Sequence, residues 1–366
     1  MASDFDPAKV NLSSPDFDLR QVICYVNSEG NDYDGHLGAR ISSIFVILVV
    51  STCVTFFPVV ARRMPRLRIP LAVYQFARFF GAGVIIATAF IHLLDPAYSE
   101  IGPATCVGLT GGWAEYSWPP AIVLTAIMGI FLVDLSAKRY VEMKYGVSEN
   151  SNIKDLIVAR STGDAVHRHS ITNTGHSNGI ATSPKDPHSR DDAQTKEILL
   201  ETISFRQQLA AFLILEFGII FHSVIIGLNL GVAGSDFSAL YPVLVFHQSF
   251  EGLGIGARLS GIPFPRQYRW LPYMLCLVYG LTTPISIAIG LGLRTTYDPG
   301  SFTANVVAGV LDSISAGILI YTGLIEFLAH DFLFDPKSTR DGKALSLKIV
   351  YLLLGVGLMA LLGKWA

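Results

Sequence analysis

The chain has 366 residues, of which 51% are hydrophobic and only 15% charged, and its formal net charge is −2; the mean hydropathy is +0.46. Soluble domains carry about 25% charged residues, so this composition excludes a soluble enzyme, a coiled coil and a disordered scaffold, and the small net charge excludes a nucleic-acid binder held by bulk charge. Four cysteines are too few for a disulfide scaffold.

Residues 1–38 are polar and acidic, so they read as a tail and no cleavable signal peptide is expected. Eight apolar segments follow, at about 40–61, 71–97, 119–138, 206–232, 239–258, 270–293, 303–330 and 346–364. A helix crosses a bilayer in about 20 residues, and these runs lack the ~10-residue alternation of barrel strands. The predicted fold is an all-α integral membrane protein with eight transmembrane helices. Spans 1–3 occupy 39–138, a polar connection occupies 139–205, and spans 4–8 fall within 206–366.

Lys and Arg near span ends set orientation. Arg62, Arg63, Arg66 and Arg68 follow span 1, and Lys138, Arg139 and Lys144 end span 3. Arg258, Arg266 and Arg269 follow span 5, and Lys337, Arg340, Lys343 and Lys348 lie between spans 7 and 8. The 98–118 and 232–238 connections have no Lys or Arg, and 294–302 has only Arg294. This pattern puts both termini outside and the 139–205 connection in the cytosol. Cys24 and Cys106 then fall in an oxidising compartment, where a disulfide between them is expected. Asn11-Leu12-Ser13 is a glycosylation sequon on the same side.

The middle of the long connection, about 148–195, is rich in Ser, Thr, Asn, Asp, Gly and Pro. That composition predicts disorder. His167, His169, His176 and His188 make it a candidate weak metal-binding loop.

Ionisable groups at bilayer depth mark functional sites, and the densest set lies on spans 4 and 5. His222 and Ser223 sit about ten residues before the outer end of span 4; His247, Gln248 and Glu251 sit about eight or more after the outer end of span 5. At about 1.5 Å per residue both groups fall near the midplane. The i, i+3 and i, i+4 spacings put His247, Gln248 and Glu251 on one helix side, and Asn229 shares the face of His222. Two imidazoles, a carboxylate, an amide and a hydroxyl without a thiolate suit Zn²⁺, with Fe²⁺ or Mn²⁺ also open. Any one of these groups alone is as well explained by hydrogen bonding between helices.

The strings His222-Ser-Val-Ile-Ile-Gly-Leu-Asn-Leu-Gly231 and His247-Gln-Ser-Phe-Glu-Gly252 resemble the span 4 and span 5 signatures of the ZIP (Zrt/Irt-like) metal transporters, in particular the fungal zinc-uptake members. The resemblance implies a 3+2+3 bundle in which spans 1–3 and 6–8 are inverted repeats around spans 4 and 5. It also implies Zn²⁺ as transported substrate rather than cofactor, plasma-membrane import into the cytosol, and a homodimer. By motif, His222, Gln248 and Glu251 would form the primary site, with Ser223 and His247 beside them in a second. Binuclear members carry a glutamate before the span 6 proline, where this chain has Thr283-Pro284; a second tightly held metal is therefore not expected. The lipid bilayer is the expected surrounding, and ubiquitin machinery acting on the cytosolic loop is an expected partner.

Further polar residues extend a candidate pathway. His92 and Asp95 sit near the outer end of span 2, Asp312 lies on span 7 level with the main site, and Glu326, His330 and Asp331 read as an exit relay. Arg78 and Asp134 read as a structural ion pair, Glu216 as packing, and Pro284 as a break in span 6. No Gly-x-x-x-x-Gly-Lys-[Ser/Thr] loop is present, so no ATP hydrolysis is expected. Two other classes stay open: a membrane-embedded metal-dependent hydrolase, and a metal sensor signalling through the loop.

Overall fold

The computed structural model describes residues 22–24, 33–64, 69–145, 188–333 and 342–365. Among the described residues there are eight long helices and no strand. They are α1 (Leu37–Arg63), α2, α3 (Trp118–Tyr145), α4 (His188–Val232), α5 (Phe237–Gly261), α6 (Leu271–Gly292), α7 and α8 (Gly342–Leu362). Helix α2 runs as Leu71–Ala87, widens to a π-helical stretch at Thr88–Leu94, and finishes as Asp95–Ile101. Helix α7 begins at Phe302–Tyr321 and widens likewise at Thr322–Leu333. Local sequence explains several boundaries. Pro70 precedes α2, Pro272 occupies the first turn of α6, and Ser301 caps α7 by accepting the Ala304 N–H at 3.3 Å.

Seven of the helices are long and apolar enough to cross a membrane. The eighth expected span, α5, falls short because His247, Gln248, Ser249 and Glu251 lower its hydropathy, although it lies deep in the bundle with His247, Gln248 and Glu251 buried. By contrast α3 and α8 are peripheral: 6% and 11% of their apolar windows are buried, against 72% for α2.

Helix α1 packs on α5 and α6, and α2 packs on α5, α8 and α7. Helix α4 meets α6 where Gly227 and Gly231 face Thr283, Ser286 and Ile287, and meets α7 where Gly218 faces Ile318 and Leu319. Helix α3 meets α7 where Gly317 faces Val123 and Ala126. Exchanging α1 with α6, α2 with α7, α3 with α8 and α4 with α5 maps these main contacts onto themselves. The contact α1–α5 becomes α6–α4, α2–α5 becomes α7–α4, and α2–α8 becomes α7–α3. A 3+2+3 arrangement of two repeats around a central pair has this property. Glycine permits a close crossing: a Cβ on Gly254 would stand 2.8 Å from the Gly81 Cα, so α2 and α5 touch backbone to backbone.

The helix α6 is continuous through Pro284, contrary to the expected break. Proline removes one N–H and frees the carbonyl four residues earlier. That carbonyl belongs to Gly280, and the Ser51 hydroxyl of α1 donates to it at 3.3 Å. The bond satisfies a buried acceptor in a setting without water.

At the end of the bundle that carries the Cys24–Cys106 disulfide, Arg40 is fully buried. Its guanidinium donates to the carbonyls of Gly35, Leu230, Gly231 and Ala233 and pairs with Asp34 at 2.8 Å. It also stacks on Tyr33 and Phe237. One side chain thus caps the last carbonyls of α4 and fixes the α4–α5 turn. At the other, arginine-rich end Arg78 binds Asp331 through both carboxylate oxygens, which corrects the expected pairing with Asp134. Arg258 pairs with Glu326 at 3.6 Å and lies over the Phe327 ring.

Residues 132–208 form a second compact unit made of the end of α3 and the beginning of α4. Helix extends back to His188, where disorder was expected up to about residue 195. Asp191 and Asp192 near the helix start, followed by Ala193, Gln194, Lys196, Glu197 and Leu199, favour it through the macrodipole and propensity. His167, His169 and His176 lie outside the described residues, and His188 is described only as the first residue of α4.

Removing the Arg40 fork should destabilise the fold by about 2–4 kcal/mol. Arg40→Ala and Arg40→Lys should both lower the melting temperature of the detergent-solubilised protein, because an ammonium cannot reach the same set of carbonyls. A Lys variant with unchanged melting would contradict this role.

Candidate metal-binding site

Helices α4 and α5 run antiparallel and bring His222 beside His247, with ring centroids 5.5 Å apart. The glycines nearby serve other seams: Gly227 and Gly231 on α4 face α6, while on α5 Gly252 and Gly256 face Thr55 of α1 and Gly254 faces Gly81 of α2. His222, Ser223, His247, Gln248 and Glu251 are all buried, none more than 3% exposed. On α5 the His247 Nε2 lies 3.9 Å from the Glu251 Oε2, one helical turn away.

The two repeats each add one polar group from outside this pair. From α2, His92 stands edge-on to His247 with centroids 4.8 Å apart, and the carbonyl of Met359 on α8 lies 3.0 Å from its Nε2. From α7, the Asp312 Oδ1 lies 3.7 Å from the His222 Nδ1. Under the helix exchange described above, α2–α5 and α7–α4 are equivalent contacts, so His92 and Asp312 reach the central pair from equivalent helices. His92 was expected at a mouth; the structure buries it against His247, on the π-helical stretch of α2. Widened turns of this kind recur at functional sites because they re-aim a side chain.

Two residues that sequence reading did not assign to the site hold it in shape. The Gln248 Nε2 donates to the Thr283 hydroxyl at 2.7 Å, which turns the amide oxygen Oε1 away from that bond. Tyr279, also on α6, donates to the Gln248 carbonyl at 3.0 Å and to the Glu251 Oε2 at 3.4 Å. Thr283 therefore serves to orient the glutamine.

The donor atoms themselves have no partners. Both ring nitrogens of His222, the Ser223 hydroxyl, the His247 Nε2, the Gln248 Oε1, the Glu251 Oε1 and the Asp312 Oδ1 are buried without a hydrogen bond. Leaving one such group unsatisfied costs about 1–3 kcal/mol. A cation removes that cost, and the nitrogen and oxygen character of the set suits a borderline ion such as Zn²⁺. Among the described residues no three His, Cys, Asp or Glu groups close around one point. Ligands on a tetrahedral zinc stand about 3.3–3.4 Å apart, and the two imidazole–carboxylate pairs at 3.7 and 3.9 Å are slightly wider. The donors converge without forming a finished cage, a geometry suited to reversible binding.

Other expected pathway residues take different roles. Asp95 is exposed at the end of the π-helical stretch. The Asn229 Oδ1 accepts from the Tyr297 hydroxyl at 3.1 Å. Glu326 and Asp331 are held by Arg258 and Arg78 at the arginine-rich end; the His330 side chain lies outside the described residues. A cleft of about 810 Å³ lies at that same end and is lined by Arg62, Arg63 and Arg269 among others. Its guanidinium groups repel cations, so it is not the metal site.

The family model described as ZIP Zinc transporter matches residues 37–363. The chain is 54% identical to "Zinc-regulated transporter 1" of Saccharomyces cerevisiae over 99% of its own length and 97% of that protein. It is 40% identical to "Zinc-regulated transporter 1" of Schizosaccharomyces pombe over 93% and 88% of the two chains. With "Zinc transporter 9" of Oryza sativa subsp. japonica it shares 33% identity over 94% and 93%. Matched almost end to end by that model and by these relatives, the chain belongs to the ZIP zinc transporter family.

Proposed function

We propose that this protein imports zinc into the cytosol across the plasma membrane, with His222, Ser223, His247, Gln248 and Glu251 as its binding station near mid-bilayer. The observation that carries the reading is the set of buried donor atoms without partners on α4 and α5. Relatives named as zinc transporters support zinc as the substrate. Helix α5 counts as the eighth span, its polarity accounted for by the ligands it presents.

The two ends of the bundle support an orientation. The arginine-rich end faces the cytosol by the positive-inside rule, and the Cys24–Cys106 disulfide belongs to an oxidising exterior. Metal would meet His92 and Asp312 beside the station and leave toward the Arg78–Asp331 and Arg258–Glu326 pairs. The 139–205 segment is then cytosolic, where ubiquitin machinery can reach it, and a homodimer is the expected assembly.

A dication leaving water needs anionic compensation, and Glu251 is the carboxylate on α5 that supplies it. Glu251→Gln keeps the volume and should abolish zinc-65 uptake in cells lacking their own importer, at unchanged surface level. His222→Ala should be nearly as severe, and Ser223→Ala milder, since a hydroxyl is a weak ligand. A well-expressed Glu251→Gln protein that transports normally would sink the reading.

Thr283→Val frees the Gln248 amide to turn. It should raise the half-saturating zinc concentration about tenfold while leaving the maximal rate largely intact. Rescue by Thr283→Ser, which restores the hydroxyl, separates orientation from packing. Deleting residues 148–187 should leave initial uptake largely unchanged and slow removal from the surface at high zinc. Loss of all uptake at normal surface level would contradict that assignment.

A further inference from the structure

The cleft at the arginine-rich end has no part in the site just described. It lies between the last turn of α1, the connection from α5 to α6 and the first turn of α6, and its volume is about 810 Å³. Arg62, Arg63 and Arg269 line it, and all three are exposed. Among the described residues that line it there is no Asp or Glu. A concave site with three guanidinium groups and no counter-charge selects an anion.

Two of these side chains are held in place. The Arg62 Nη1 donates to the Ser260 carbonyl at 2.6 Å, and the Arg63 Nη1 donates to the Arg269 carbonyl at 2.7 Å. Arg63 also lies over the Tyr273 ring, 5.0 Å from its centroid. Each bond engages one of the five N–H donors of a guanidinium, which leaves donors for a phosphate. The rim adds an apolar feature. Trp270 lines the cleft, Met274 and Val278 follow it at i, i+4 steps along α6, and all three are exposed. This stripe leads from the cleft into the membrane-spanning part of α6, and tryptophan at its head suits the headgroup level of a bilayer. A small soluble anion has no use for such a stripe; an acyl chain does.

We propose that this cleft binds the headgroup of an anionic phospholipid, with phosphate on Arg62, Arg63 and Arg269 and an acyl chain along Trp270, Met274 and Val278. The lipid comes from the leaflet at the arginine-rich end, cytosolic on the orientation given above, where anionic lipids concentrate. The metal station has no part in this assignment. A lipid with a phosphomonoester beside its diester fits best: about two negative charges on the first and one on the second match three guanidinium groups. Bound there, the lipid bridges the end of α1 and the α5–α6 connection, and so stabilises the folded bundle.

Native mass spectrometry of the full-length protein reads the site directly, because the mass of the adduct identifies what is retained. The protein is released from a neutral detergent supplied with equal amounts of phosphatidylinositol 4-phosphate and phosphatidylcholine. Phosphatidylinositol 4-phosphate should be retained preferentially. Arg269→Gln leaves both carbonyl bonds intact and should weaken that retention about fivefold, at an unchanged melting temperature without lipid. Replacing Arg62, Arg63 and Arg269 together by Gln should abolish the preference. Inorganic phosphate at the same concentration should not displace the lipid. The Glu251→Gln protein should retain the lipid as before, so failure of the metal station and failure of this cleft are read separately. Equal retention of the two lipids, full retention by the folded Arg269→Gln and triple variants, or displacement by inorganic phosphate would overturn the proposal.

Discussion

The cost of burying polar atoms without partners governs this molecule. Inside a bilayer-spanning bundle water does not compensate a bare imidazole or carboxylate, and each costs on the order of kilocalories per mole. The bundle holds a whole group of them on α4 and α5. Specific bonds around them hold the helices that carry them. Arg40 caps the last carbonyls of α4, Ser51 takes the carbonyl freed by Pro284, and Thr283 and Tyr279 fix the α5 side chains. Backbone contact at Gly81 and Gly254 supplies dispersion where lipid offers no hydrophobic gain between helices.

The pseudo-symmetry of the contacts gives that cost a location. The primary donors belong to the central pair α4 and α5, supported by α1 and α6, while His92 and Asp312 approach from α2 and α7. Both of these latter helices depart from α-helical geometry, at Thr88–Leu94 and Thr322–Leu333. His92 sits within the first stretch, and the second begins ten residues beyond Asp312. These unpartnered donors thus lie where the repeats meet the central pair, the place at which relative movement of repeats would change access.

Much of this was legible in the sequence because membrane crossing imposes length and hydropathy. The segments at 119–138 and 270–293 recur as parts of Trp118–Tyr145 and as Leu271–Gly292. The adjacency of His222 and His247 followed from depth alone, and the Cys24–Cys106 pair followed from charge placement. What depth does not encode is rotation about a helix axis. That is why His92 was placed at a mouth rather than against His247, and why Arg78 was matched with Asp134 rather than Asp331. Thr283 was read for the glutamate it replaces, and its bond to Gln248 emerges only when α6 is seen beside α5.

The most direct test of the central claim is anomalous diffraction at the zinc edge from crystals of the full-length protein grown with zinc. The account predicts a principal peak within about 2.0–2.2 Å of donors drawn from His222, Ser223, His247, Gln248 and Glu251. A zinc-loaded, transport-competent protein with no peak between α4 and α5 would contradict it.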